Sequence, residues 1–145
     1  MYSKKALKYF RHPKNQGKIK NADGVGKVGN PVCGDVMYVY IKVGENKKKE
    51  EMIKDIKFET FGCVAAIATS SVVTDLAKGK TLKEAVKINK KDIVDFLGGL
   101  PPIKIHCSVL AIDALTEAVY EYLSKNKKKI PADLEKTHKM IRRAS

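Results

Sequence analysis

From residue 35 to 43 every second position is apolar: Met37, Val39, Ile41 and Val43 share one face, while Tyr38, Tyr40 and Lys42 take the other. That period of two predicts a half-buried strand. After a charged loop over residues 44–51, which holds Lys47, Lys48 and Lys49, alternation resumes over 53–61 with Ile56 and Phe58 set against Asp55, Lys57 and Glu59. The two runs predict a hairpin, and residues 24–30 read as a short edge strand beside it. Past Gly62 the pattern turns helical. Residues 63–77, rich in Ala, Ser, Thr and Val, end at Lys78-Gly79-Lys80, and Thr81 with Glu84 forms a capping box that opens a second, short helix. A third helix over 91–97 stops at Gly98-Gly99, and Pro101-Pro102 holds an extended approach to a long helix starting near Cys107. On that helix Val109, Ile112, Leu115 or Thr116, Val119 and Tyr122 recur at three- and four-residue steps, a stripe expected to lie on the sheet. Residues 3–10 form a helix capped by Ser3, and residues 131–143 form a last, exposed helix. The expected class is α+β: a small antiparallel three-stranded sheet packed on one face by several α-helices, with a metal site at one end of the sheet. One domain spans 1–145, its core about 2–124 and a basic helical tail over 125–145; there is no internal repeat.

Composition narrows the class without naming an activity. A chain of 145 residues with 43% hydrophobic and 31% charged side chains has globular values. No apolar run approaches the roughly 18 residues of a membrane span, and no apolar signal region follows Met1, so no membrane association and a cytoplasmic location are expected. The net charge of +13 is unevenly spread. Residues 1–20 carry seven Lys or Arg and no acid, residues 125–145 carry eight basic and two acidic side chains, and the stretch between is neutral. Basic ends suit an acidic partner surface, although lysines also simply solvate terminal helices. They lack interleaved aromatics or a nucleic-acid module, so a nucleic-acid interface is not expected.

Candidate chemistry is confined to three islands that hold every cysteine: residues 30–35 with Cys33, residues 60–63 with Cys63, and residues 100–108 with Cys107. Three thiols at long spacing, without a CxxC pair, argue against a disulfide framework or a thioredoxin-type motif. Asp35 follows Cys33 by two residues and His106 directly precedes Cys107, so three thiolates, a carboxylate and an imidazole are available for a tetrahedral metal site. Because Cys33 precedes the first hairpin strand and Cys63 follows the second, antiparallel pairing returns both to one end of the sheet. Cys63 and Cys107 fall at predicted helix N-termini, where free N–H groups and the helix dipole favour thiolate. Gly34 and Gly62 leave room for backbone to approach a sulfur ligand.

These islands carry a resemblance. The run Asn30-Pro31-Val32-Cys33-Gly34-Asp35, the run Phe58-Glu59-Thr60-Phe61-Gly62-Cys63, residues 65–71, Lys78-Gly79-Lys80-Thr81-Leu82 and residues 100–111 together resemble an IscU-type iron-sulfur cluster assembly scaffold, related to the N-terminal module of NifU, over residues 2 to about 122. Leu100-Pro101-Pro102-Ile103-Lys104 is similar to the segment this family presents to an Hsp70/J-type chaperone, with Ile103 where the familiar form has valine. The resemblance implies a carrier rather than an enzyme. It implies that Cys33, Cys63 and Cys107 bind the iron of a transient [2Fe-2S] cluster, that Asp35 or His106 completes the set, and that Cys107 accepts persulfide sulfur from a cysteine desulfurase. It implies further partners: an electron donor such as ferredoxin, apo iron-sulfur proteins as recipients, and a homodimer contact at Tyr2. Zinc is a second metal that the same donors would take in a resting or purified form. The 44-residue step from Cys63 to Cys107 and the histidine at 106 resemble the IscU type more than the zinc-dependent sulfur carriers of the SufU type, which remain the alternative, with a basic nucleic-acid-binding module as a remote third reading.

Overall fold

The strand periodicity is realised as an antiparallel sheet in the order β1-β2-β3, with β1 Gly24–Gly29, β2 Val36–Glu45 and β3 Glu51–Thr60, in a computed structural model that describes residues 3–29, 36–60, 64–100 and 106–144. Met37, Val39 and Ile41 of β2 are buried. They pair with Val28, Gly26 and Gly24 on one side and with Thr60, Phe58 and Ile56 on the other. Both hairpin strands run further than the alternation suggested, and the loop shrinks to residues 46–50. Asn46 explains this: its side-chain oxygen accepts the N–H groups of Lys48 and Glu50, both at 2.9 Å, which closes a tight turn. Ile53 and Ile56 both reach the core although three residues apart, because the register shifts between Lys42 and Val43 and leaves Lys54 as the extra, exposed residue.

Helices cover the buried face, and the opposite face stays open, with Tyr38 and Tyr40 stacked there at 6.4 Å. The first helix, α1 Lys4–Arg11, is capped by Ser3, whose hydroxyl accepts from Ala6 N at 3.0 Å. α2 Val64–Ala77 is buried over most of its length; Thr69, Ser70 and Thr74 each donate to the carbonyl four residues earlier, and the Ser71 hydroxyl accepts the Lys14 N–H at 2.9 Å. The expected capping box opens α3 Leu82–Ala85, and a second box, Asn89 with Asp92, opens α4 Lys90–Phe96. α5 His106–Lys125 crosses the sheet and α6 Ala132–Ala144 follows it. No helix among the described residues is long and apolar enough to cross a membrane.

Two expectations are refined. Val109 is 39% exposed, but Leu115, Thr116 and Val119 are buried and Tyr122 lies over Gly24, so the stripe on α5 turns inward after its first residue. Small residues share that face, since the backbone at Ala114 and Ala118 lies so close to β1 that a Cβ at Gly26 would sit 1.9 Å from the Ala114 carbonyl oxygen, and one at Gly24 would sit 2.3 Å from that of Ala118. Close approach of backbones, rather than side-chain bulk, fixed the helix rotation. The tail helix is exposed over most of its length, as expected, but one side is seated: Leu134 and Ile141 of α6 are both 6% exposed and join the core cluster against α5.

Candidate functional site

Five element ends are brought to one end of the sheet. β1 ends at Gly29, paired with Val36 at the start of β2, and β3 ends at Thr60, which pairs with Met37 and donates its hydroxyl to the Val36 carbonyl at 2.9 Å. α2 starts at this edge and runs away from it: its Ser70 hydroxyl lies 2.9 Å from the Met37 sulfur, and its far end is tied to mid-strand by Gly79 N–H donating to Ile53 and Ile53 N–H donating to Lys80. α5 has the same polarity. Ala118 lies over Gly24 and Ala114 over Gly26, so the helix advances toward Gly29 as its residue numbers fall, while at its other end Tyr122 bonds Glu51. The N-termini of a 14-residue and a 20-residue helix therefore both point to the edge where β2 begins and β3 ends. That directs the positive ends of two helix dipoles there, an environment that favours thiolates and sulfide.

Of the third island the structure describes its two flanks, Leu100 and the start of α5. Ser3 donates its hydroxyl to the Leu97 carbonyl at 2.5 Å, Lys5 Nζ lies 3.8 Å from the centre of the Phe96 ring, and Tyr9 meets that ring edge-on at 5.7 Å. These contacts set the start of α1 beside the end of α4, immediately before Leu100, which packs partly buried against the core. His106 and Cys107 are the first two residues of α5, and only their backbone is described. Cys33, Asp35, Cys63, Pro101, Pro102, Ile103, Lys104 and Tyr2 lie outside the described residues, as does any geometry of the donor set itself. What the described chain supplies is the flanking frame: β2 begins one residue after Asp35, α2 one residue after Cys63, and α5 contains Cys107. Among the described residues no three donors gather to hold a metal.

Sequence comparison then decides the family, since the NifU-like N terminal domain family matches residues 1–129. The chain belongs to this family. It is 58% identical over 128 residues to "Iron-sulfur cluster assembly scaffold protein IscU 1" of Archaeoglobus fulgidus, covering 88% of this chain and 80% of that protein. It is 46% identical over 124 residues to "Iron-sulfur cluster assembly scaffold protein IscU" of Aquifex aeolicus, covering 86% and 77%. Among solved structures it is similar to a putative iron-sulfur cluster assembly scaffold protein for the SUF system from Fervidobacterium islandicum, with a TM-score of 0.64, 25% identity, and coverage of 81% of this chain and 96% of that one.

A second polar cluster, which the sequence reading missed, lies between α5 and α6. Glu117 is almost fully buried, with Oε2 2.5 Å from His138 Nδ1 and Oε1 3.0 Å from Arg142 Nε. Tyr120 stacks on the His138 ring at 3.7 Å and donates to Glu135. Asp113, one turn before Glu117, has its carboxyl pushed up to about 6, first by burial and then by the Glu117 charge. The signal was present as paired four-residue steps, Asp113-Glu117-Glu121 on one helix and His138-Arg142 on the next. A tail read as exposed hid it.

Proposed function

We propose that this chain is a scaffold on which an iron-sulfur cluster is built and from which it is passed on, a carrier without independent turnover. The reading rests on one observation above all: two helix N-termini and two strand ends meet at the edge that adjoins all three cysteine islands. The printed names of the Archaeoglobus and Aquifex relatives agree with it. Within this reading Cys33, Cys63 and Cys107 hold the iron of a [2Fe-2S] cluster, and Asp35 or His106 completes the set. Three thiolates and one harder donor bind less tightly than four thiolates, which suits a cargo that must leave. The Cys107 thiolate attacks the outer sulfur of a desulfurase persulfide; the S–S bond breaks, the desulfurase thiolate leaves, and two electrons from a donor such as ferredoxin later release sulfide. A chaperone of the Hsp70/J type grips Leu100, Pro101, Pro102, Ile103 and Lys104 during transfer to apo-proteins, Tyr2 contributes to a homodimer, and the work is done in the cytoplasm by a single domain.

A zinc-dependent sulfur carrier would use the same donors. It is less favoured, because identity to the IscU relatives is 58% and 46% while the SUF-system structure shares 25%. Anaerobic reconstitution with iron, cysteine and a desulfurase separates the two readings: a coloured species with equal iron and sulfide supports the scaffold, and a colourless zinc form that still takes up sulfur supports the carrier. In the same assay Asp35→Ala is expected to form cluster but release it to an apo-ferredoxin several-fold more slowly; failure to assemble any cluster would overturn the labile-ligand role.

A further inference from the structure

Asp113, Glu117 and Glu121 follow one another at four-residue steps, so α5 carries an acidic stripe along one side. One end is occupied by strand: Glu121 Oε1 accepts the Val25 N–H at 3.1 Å. The centre is occupied by α6, which brings His138 and Arg142 to the buried Glu117. Between β1, α5 and α6 remains a cleft of about 360 Å³, lined in part by Val25, Glu117, Ser124 and His138. α6 starts at Ala132, beyond the residues that match the family, and is joined through a connection in which Lys127 adopts a left-handed φ of 54°. It is a basic helix appended to a family domain and laid over an acidic face.

The balance of forces on α6 is unusual. A 13-residue helix is marginal alone in water, and two buried aliphatic side chains, Leu134 and Ile141, do not offset the ordering of such a segment. The Glu117 contacts, the Tyr120–His138 stack and the Tyr120–Glu135 bond supply the remainder. Seated, Glu117 must be paired, because a buried carboxylate left unpaired is strongly unfavourable; undocked, it returns to water, so the seated and open states lie close in free energy.

We propose that α6 is a strap that opens and closes as a unit over the acidic stripe of α5, with Glu117 as the clasp held by His138 and Arg142. The family domain beneath stays folded in both states. Opening uncovers Glu117 and Tyr120 and frees the basic face of α6. The inference stands independently of the cluster chemistry.

Hydrogen exchange on the full-length chain tests it. Amides of residues 134–144 should exchange at least about tenfold faster than those of residues 114–119 in central α5, as expected for a unit that opens below the global unfolding free energy. Glu117→Gln should speed exchange in α6 by a further factor of about ten while β2 and β3 amides keep their rates. Arg142→Gln, at a side chain 59% exposed, tests the same clasp without threatening the fold and should act in the same direction. Protection of α6 equal to that of α5, unchanged α6 exchange in both variants, or an equal acceleration throughout the domain would each overturn the proposal.

Discussion

The two ends of the sheet are built on opposite principles. At the end where Glu45 pairs with Glu51, the chain ties itself off. Asn46 closes the turn, Gly79 and Lys80 bond both sides of Ile53, Tyr122 donates to Glu51, and Lys128 pairs with the same carboxylate at 3.1 Å. At the other end Thr60 bonds Val36 and Ser70 meets Met37, and the N-termini of α2 and α5 are directed toward it. Side-chain and backbone ties cross the closed end, and the positive ends of two helix dipoles face the cysteine end. A site that must take up and surrender a charged cargo benefits from that division, because its ligands can change without dissolving the sheet that positions them.

The strongest way to break the comparison is to remove a donor at the cysteine end. Cys63→Ala is expected to abolish formation of a stable cluster in anaerobic reconstitution, while amide exchange in β3 near Glu51 stays unchanged; loss of protection at the closed end would show that the two ends are not independent. Next in size is Gly26→Val. A side chain there meets the Ala114 carbonyl and must push α5 off the sheet, at a cost of about 3 kcal/mol seen as a lower melting temperature. The same shift should displace the start of α5, so cluster yield should fall with it. Tyr122→Phe cuts a bond at the closed end and should cost about 1 kcal/mol in a urea melt without changing cluster yield.

The last effect is confined to pH and concerns Asp113. Its folded-state carboxyl lies at about 6, above the ordinary 3.8, so the folded chain holds that proton more tightly than the unfolded chain. The stabilising contribution is complete below about 3.8 and is lost as the pH rises through about 6. Asp113→Asn should therefore be more stable than the parent at pH 8, with the advantage disappearing by about pH 4, as urea melts at the two values will show.

Much of this was legible along the chain. Alternation at Met37, Val39 and Ile41 is local, and so are the Ser3 cap, the Thr81-Glu84 box and the Gly79 stop; each is set by backbone geometry within a few residues. The candidate ligands were legible because cysteine chemistry is rare and its spacing stands out. The α5 face was read only in part: Leu115 and Val119 are buried, but a search for large apolar residues cannot see that Gly24 and Gly26, some ninety residues away, bring the alanines of α5 into the contact as well. The tail is exposed over most of its length as read, but its seated side went unseen because charge suggests exposure until its partner is known, and Glu117 lies on a different helix.

By itself, then, the sequence determined the elements, the hairpin that returns residues 36 and 60 to one edge, and which side chains could bind metal, since all of these follow from short-range periodicity and residue chemistry. The parallel polarity of α2 and α5 toward that edge, the rotation of α5 on β1, and the seating of α6 on a buried carboxylate were decided only by tertiary structure. Each depends on how closely two distant backbones or charges approach, and that distance is a property of the packed fold rather than of any segment in it.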